Sequence, residues 1–281
     1  MKHITLLFVM LFNLTAGAAE EGRSPECFDG SCARKNSKSL TTEDIRKFVT
    51  ALGVEKVTQG GKEITKILND MNVGVDRACS KFVKEDEFQK WGEFVSQEFD
   101  RGKYKYLYAG TPDLLRLCPN FPQMTDDQKD SVFILKSTLH AFFESSCNPA
   151  NELRSAPNGT AAGLFQLHKG KENRYSSGCK AGDSKNPEGS IRCTLAMLDD
   201  IAYNGKNIFS FDSHWAVNRP QDRGRKAGFG KNAALSTMEA ICKIPSCKAT
   251  PSDCKQFIEE TRLLAIEQSR QKQSQKRVAQ R

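Results

Sequence analysis

Glu144 is the acid whose neighbours could give it a chemical task. It follows Phe142 and Phe143 and precedes Cys147-Asn148-Pro149, so it stands near the end of a helical pattern that the proline cannot extend. A carboxyl held against aromatic surface is partly desolvated. Desolvation raises its pKa, and a raised pKa lets a general acid keep its proton near neutral pH. Such a group suits acid-catalysed cleavage of a bond to oxygen, which needs protonation of the leaving oxygen and stabilisation of the positive charge left behind. A second carboxylate could supply that stabilisation or activate water. Glu152, Glu172, Asp183 and Asp199 are within reach along the chain, Glu152 and Asp183 being the leading pair, and each reads equally as a surface charge. His140, one turn before Glu144, could face the same cleft, although a lone helical histidine reads more readily as a surface or capping group; His168 and His214 read likewise. Trp215 suits either a sugar platform or a core position.

The elements that would position these residues are mainly helical. Thr125 with Gln128 forms a capping box, and Val132, Phe133, Leu135, Leu139 and Phe142 follow on one face, so a long helix is expected to run towards Cys147. Further helices are expected from Thr41-Thr42-Glu43-Asp44 to Gly53, around Ile64, Ile67, Leu68 and Met71, near Ile191, and around Ile241 and Phe257. Phe88, Trp91, Val95 and Phe99 make an aromatic stripe at helical spacing and are expected in the core. Between Asn148 and Gly189 the chain is rich in loops and glycines, which is where a cleft would be built. Alternation of period two is scarce, so the fold class is mainly α.

The segment Glu144-Ser145-Ser146-Cys147-Asn148-Pro149, followed by Gly163-Leu164-Phe165-Gln166-Leu167, resembles the signature of soluble lytic transglycosylases and goose-type lysozymes, members of the lysozyme-like superfamily. The resemblance implies a lysozyme-like helical domain with Glu144 as catalytic acid. It assigns substrate binding to Ser145, to the turn Gly163, Leu164, Phe165 and Gln166, and downstream to Trp215 and Asn218. Phe165 stands where the family often has Met, and Ser190, in Pro187-Glu188-Gly189-Ser190-Ile191, where it usually has Asn. For the family's Ala-Tyr-Asn motif, Ala202-Tyr203-Asn204 matches by letters and Ala216-Val217-Asn218 by position. The matched stretch, 125–220, is about a third of the chain. It implies cleavage of the β-1,4 bond between N-acetylmuramic acid and N-acetylglucosamine in peptidoglycan strands by one carboxyl, without metal or organic cofactor. A lysozyme acting on de-N-acetylated glycan and a non-catalytic glycan-binding envelope protein are the alternatives.

The remaining features set the context. Residues 1–18 read as an export signal: Lys2, an apolar stretch from Ile4 to Leu14, then Ala16-Gly17-Ala18. A secreted or periplasmic chain, a monomer with no membrane span, is expected. Ten cysteines then most simply pair as up to five disulfides, with Cys27–Cys32, Cys242–Cys247 and Cys179–Cys193 spaced for local loops; a zinc site is disfavoured because the C-x4-C pairs lack nearby histidines. Of the net charge of +8, Lys2 supplies one and Arg270, Lys272, Lys276, Arg277 and Arg281 supply five, leaving about +2 for the body. That is no nucleic-acid footprint, and the tail reads as a solvated or frayed terminus. The expected order is signal 1–18, leader 19–38, an unmatched helical region 39–120, a catalytic domain 121–258, and a C-terminal helix with basic tail 259–281.

Overall fold

The computed structural model describes residues 55–73, 79–100, 102–156, 158–220 and 232–279, which fall in the compact unit Gly53–Arg281. The expected export signal, the helix from Thr41, and Cys27 and Cys32 lie outside the described residues. Helix α1 spans Glu55–Asp70 and carries Ile64, Ile67 and Leu68 into the core. Strands β1 (Val83–Lys84) and β2 (Glu87–Phe88) pair antiparallel about Glu85 and Asp86, both at positive φ, as a two-residue hairpin turn requires. Helices α2 (Lys90–Asp100), α3 (Lys105–Ala109) and α4 (Pro112–Leu117) follow.

Helix α5, Asp126–Ser145, is the axis of the molecule, packing on α1, α2 and α7. It opens as expected: the Thr125 hydroxyl accepts from the Gln128 N–H, and the Gln128 side chain accepts from the Thr125 N–H. Everything from Asp130 to Ala141 is buried, so the helix is enclosed all round rather than on one stripe. Phe133 stacks on Phe99 at 4.5 Å and meets Phe121 edge-on at 5.8 Å. Trp91, Val95 and Phe99 are buried, as the core reading of that stripe expects, and Ile64, Leu68 and Phe82 from the N-terminal part join the same cluster. Each such apolar side chain contributes about 1.5–3 kcal/mol on burial.

After α5 comes a small three-stranded antiparallel sheet, order β3 (Glu152–Leu153), β4 (Ala161–Ala162), β5 (Leu167–His168). Helix α6, Pro187–Tyr203, is capped by Asn186, whose side chain accepts from the N–H groups of Glu188 and Gly189. Helices α7 (Ala233–Cys242) and α8 (Pro251–Ala279) end the described chain. The fold is mainly α, as expected.

Among the described residues four disulfides staple the fold: Cys79–Cys147, Cys118–Cys247, Cys179–Cys193 and Cys242–Cys254. Cys179–Cys193 is the local loop that spacing suggests. Cys242–Cys247 is not formed: the turn Pro245–Cys247 carries Cys247 to Cys118, and Cys242 instead reaches Cys254 in the first turn of α8. The basic tail also differs from a frayed terminus. Helix α8 continues to Ala279, because the stretch has no Pro or Gly and is rich in Gln, Lys and Arg, which favour helix. No helix among the described residues is long and apolar enough to cross a membrane.

Candidate active site

The end of α5 presents Glu144. Ser146 and Cys147 turn out of the helix with positive φ, their N–H groups bonding back to the carbonyls of Phe142 (2.8 Å) and Ala141 (3.1 Å), and Cys79 holds Cys147 by its disulfide. Glu144 is half-buried beside the edge-to-face pair Phe142 and Phe143. The Ser145 hydroxyl is buried, 2.8 Å from the Leu164 carbonyl and 3.0 Å from that of Ala141. That bond fastens the turn 163–166 to the end of the helix.

The turn needs its glycine. Gly163 has φ +77°, and a Cβ there would lie 2.0 Å from the Ser184 carbonyl oxygen. Gln166, also at positive φ, donates its amide to the carbonyls of Asn151 (3.1 Å) and Gly163 (2.9 Å). Trp215 donates its indole N–H to the Phe165 carbonyl at 2.9 Å. Ser145, Leu164, Phe165, Gln166 and Trp215 are therefore linked to one another, with Asn218 donating its N–H to the Trp215 carbonyl at 3.1 Å, yet all are at most 6% exposed. Enclosed to this degree, they offer little surface to a ligand. Trp215 is closed as a sugar platform, with His140 edge-on at 4.7 Å and His214 at 5.1 Å.

The acids weighed as a second carboxylate are engaged elsewhere. Asp183 is buried and accepts from Arg192 (2.7 Å) and the Lys180 N–H (2.7 Å). Burial pushes the Glu172 carboxyl up, but hydrogen bonds, led by the Ser184 hydroxyl at 2.5 Å, bring it below its usual value. Asp199 accepts from the Leu107 N–H at 2.7 Å, and burial raises it. Glu152 alone is exposed; Lys169 at 2.9 Å holds its carboxyl below the ordinary range.

No family model and no curated protein matches the sequence. Among solved structures, the chain is similar to the Bdellovibrio protein Bd0314 DslA in its wild-type form 2, at 21% identity over 56% of this chain and 91% of that one, with a TM-score of 0.45. A variant of the same protein with one glutamate replaced by glutamine gives 0.46 at the same identity and coverage. The likeness is one of fold.

The structure adds residues that pattern reasoning missed. Lys136 is 3% exposed in the middle of α5, and its ammonium lies 2.7 Å from Nδ1 of His140. His140, which spacing read as a surface group, is 1% exposed, because Phe165 and Trp215 enclose it edge-on. Desolvation, with the charges of Lys136 and His214, keeps its ring far below the usual imidazole pKa and hence neutral. Farther out, His168 Nδ1 meets the Tyr175 hydroxyl at 2.5 Å, and His214 lies edge-on to Tyr175. Tyr175 and His214 line a groove of about 330 Å³ with Arg174, Asp200 and Asn204. Tyr203 is exposed against Tyr106, whereas Val217 is half-buried against the core.

Proposed function

We propose that this chain is an exported glycosidase that cleaves peptidoglycan strands between N-acetylmuramic acid and N-acetylglucosamine, with Glu144 as the general acid and then the general base. The observation that carries this reading is the half-buried carboxyl at the end of an enclosed helix, with the Ser145 bond to the Leu164 carbonyl fixing the turn beneath it. A carboxyl there is of the kind that can protonate a leaving oxygen and later take a proton from the attacking group. The groove lined by Tyr175, His214 and Asn204 carries the aromatic and amide groups that sugar binding uses. Export is supported by the four disulfides.

The engagement of Asp183, Glu172 and Asp199 favours a single-carboxyl route, in which the substrate's N-acetyl group assists departure and Glu144 then takes the proton of the attacking C6 hydroxyl, leaving a 1,6-anhydro sugar. Glu152 is the exposed acid that would serve hydrolysis instead. The test is mass spectrometry of products from acetylated and de-acetylated peptidoglycan treated with the wild type and with Glu144→Gln. Anhydro ends that vanish in the variant are expected. Reducing ends that vanish with Glu152→Gln would transfer the protein to the hydrolases, and the absence of soluble products from either glycan would leave the glycan-binding reading.

A further inference from the structure

The last turn of α5, which carries Glu144, is closed without a glycine. Ser146 and Cys147 take left-handed backbone, at φ 54° and 56°, a region that L side chains disfavour and that helix ends commonly give to glycine. The bonds from their N–H groups to the Phe142 and Ala141 carbonyls depend on that backbone, so something outside the helix must hold it. Ser145 supplies one tie, to Leu164 on the C-terminal side. Cys147 supplies the other. It is 1% exposed, its Sγ lies 3.8 Å from the Thr138 carbonyl, and its disulfide reaches Cys79 in the short turn Cys79–Lys81. Cys79 stands on firm ground. It is buried too, and its carbonyl accepts from the Phe82 N–H at 2.9 Å. The Phe82 carbonyl in turn accepts from the Gln89 N–H at 2.9 Å, and the enclosed Phe82 ring meets Trp91 of α2 edge-on at 5.3 Å.

We propose that Cys79, through its disulfide to Cys147, is a positioning residue for Glu144: it braces the last turn of α5 against the β1–β2 hairpin and α2. The inference rests on the reading of Glu144 as the acid and base of a glycosidase. Such a group must meet the leaving oxygen at hydrogen-bond distance, and misplacement by about 1 Å costs on the order of a hundredfold in rate. The hairpin and α2, to which the motif resemblance assigns nothing, thereby acquire a task in the chemistry. The covalent tie is needed because the turn it holds is one that its own residues disfavour.

The experiment compares Cys79→Ala/Cys147→Ala with Cys242→Ala/Cys254→Ala, which opens the disulfide between α7 and α8. Each is studied where urea titration shows it folded, by amide hydrogen exchange and by kinetics on soluble peptidoglycan strands. In the first pair the amides at positions 146 and 147 should exchange about tenfold faster or more, while those from Asp130 to Ala141 keep their protection. Its kcat should fall about ten- to a hundredfold, with KM changed by less than about twofold. The second pair should lose stability and neither of these. Cys79→Val/Cys147→Ala, which refills part of the space left by the sulfurs, decides the matter if the alanine pair does not fold. Unchanged exchange at 146 and 147, unchanged kcat, or a loss carried by KM in a folded variant overturns the proposal. If neither variant folds, the disulfide is a staple of the whole fold and the proposal falls. Retention of turnover by Glu144→Gln would remove the catalytic reading instead, while amide exchange still judges the brace.

Discussion

Replacing Gly163 by alanine tests whether the turn beneath Glu144 is as tightly determined as its geometry indicates. Two costs add. At φ +77° any L side chain is strained by about 1–2 kcal/mol. The new Cβ would also sit 2.0 Å from the Ser184 carbonyl oxygen, well inside the ~3.5 Å of ordinary contact. Backbone must move to relieve it, and Ser184 cannot move freely: its hydroxyl and N–H both serve the fully buried Glu172 carboxylate. Weakening those bonds leaves a buried carboxylate short of donors, worth about 1–3 kcal/mol more. The expected loss is therefore about 2–5 kcal/mol. Gly170 provides the control, since it has the same φ of +77° with nothing within 4 Å of its Cβ, so Gly170→Ala should lose only the conformational part. Urea denaturation with disulfides intact measures both losses, and in a thermal melt the Gly163 variant should fall about 2–12 °C below the control. If the two variants agree within about 0.5 kcal/mol, the approach to Ser184 is not rigid and the argument for a fixed turn fails.

Burial, helped by the charges of Asp100 and Asp127, raises Asp130 to about 7 against donation from Ser96 and Tyr108. The folded state then binds a proton that the unfolded chain has released, so stability is fully present below about pH 4 and declines by on the order of 3 kcal/mol as pH rises to about 7. Asp130→Asn should flatten that decline in a pH series of denaturation midpoints; an unchanged slope would show that the carboxyl is ionised in the folded protein. Replacing Cys118 and Cys247 together by alanine opens a link across 129 residues and should lower stability by about 3–5 kcal/mol, read by calorimetry, with a loss below 1 kcal/mol contradicting it.

The parts of this fold that were legible are those where one residue type answers one backbone demand. Thr125 and Gln128 satisfy free N–H groups at the start of α5, and Pro149 forbids continuation past its end, so those boundaries were readable. The five two-residue strands among the described residues were not, because alternation needs a longer run to be seen. Disulfide partners were illegible for a related reason. Cys242 and Cys247 are close in sequence, but the turn between them sends each to a different part of the fold. Lys136 was hidden because a charge within an apolar run is ordinarily taken for the exposed face, whereas α5 has no such face between Asp130 and Ala141.

The same distinction explains what the resemblance around Glu144 recorded. The positions that it assigned to substrate binding were Ser145, Gly163 to Gln166, Trp215 and Asn218, and each of these is buried, whereas Ser146 and Asn148 of the same signature are exposed. Most of their printed bonds go to backbone: Ser145 to Leu164, Trp215 to Phe165, and Gln166 to Asn151 and Gly163. A buried carbonyl without a donor costs about 1–3 kcal/mol, so such positions tolerate few residue types and leave a readable pattern whatever glycan is bound. Side chains that could touch a sugar, such as Tyr175, Asn204 and Glu152, lie on the outer surface, where folding imposes no comparable constraint. The motif thus describes how the end of α5 and the 163–166 turn are fastened together, and on the proposed glycosidase reading specificity for the acetylation state would be sought in exposed residues, Glu152 first among them.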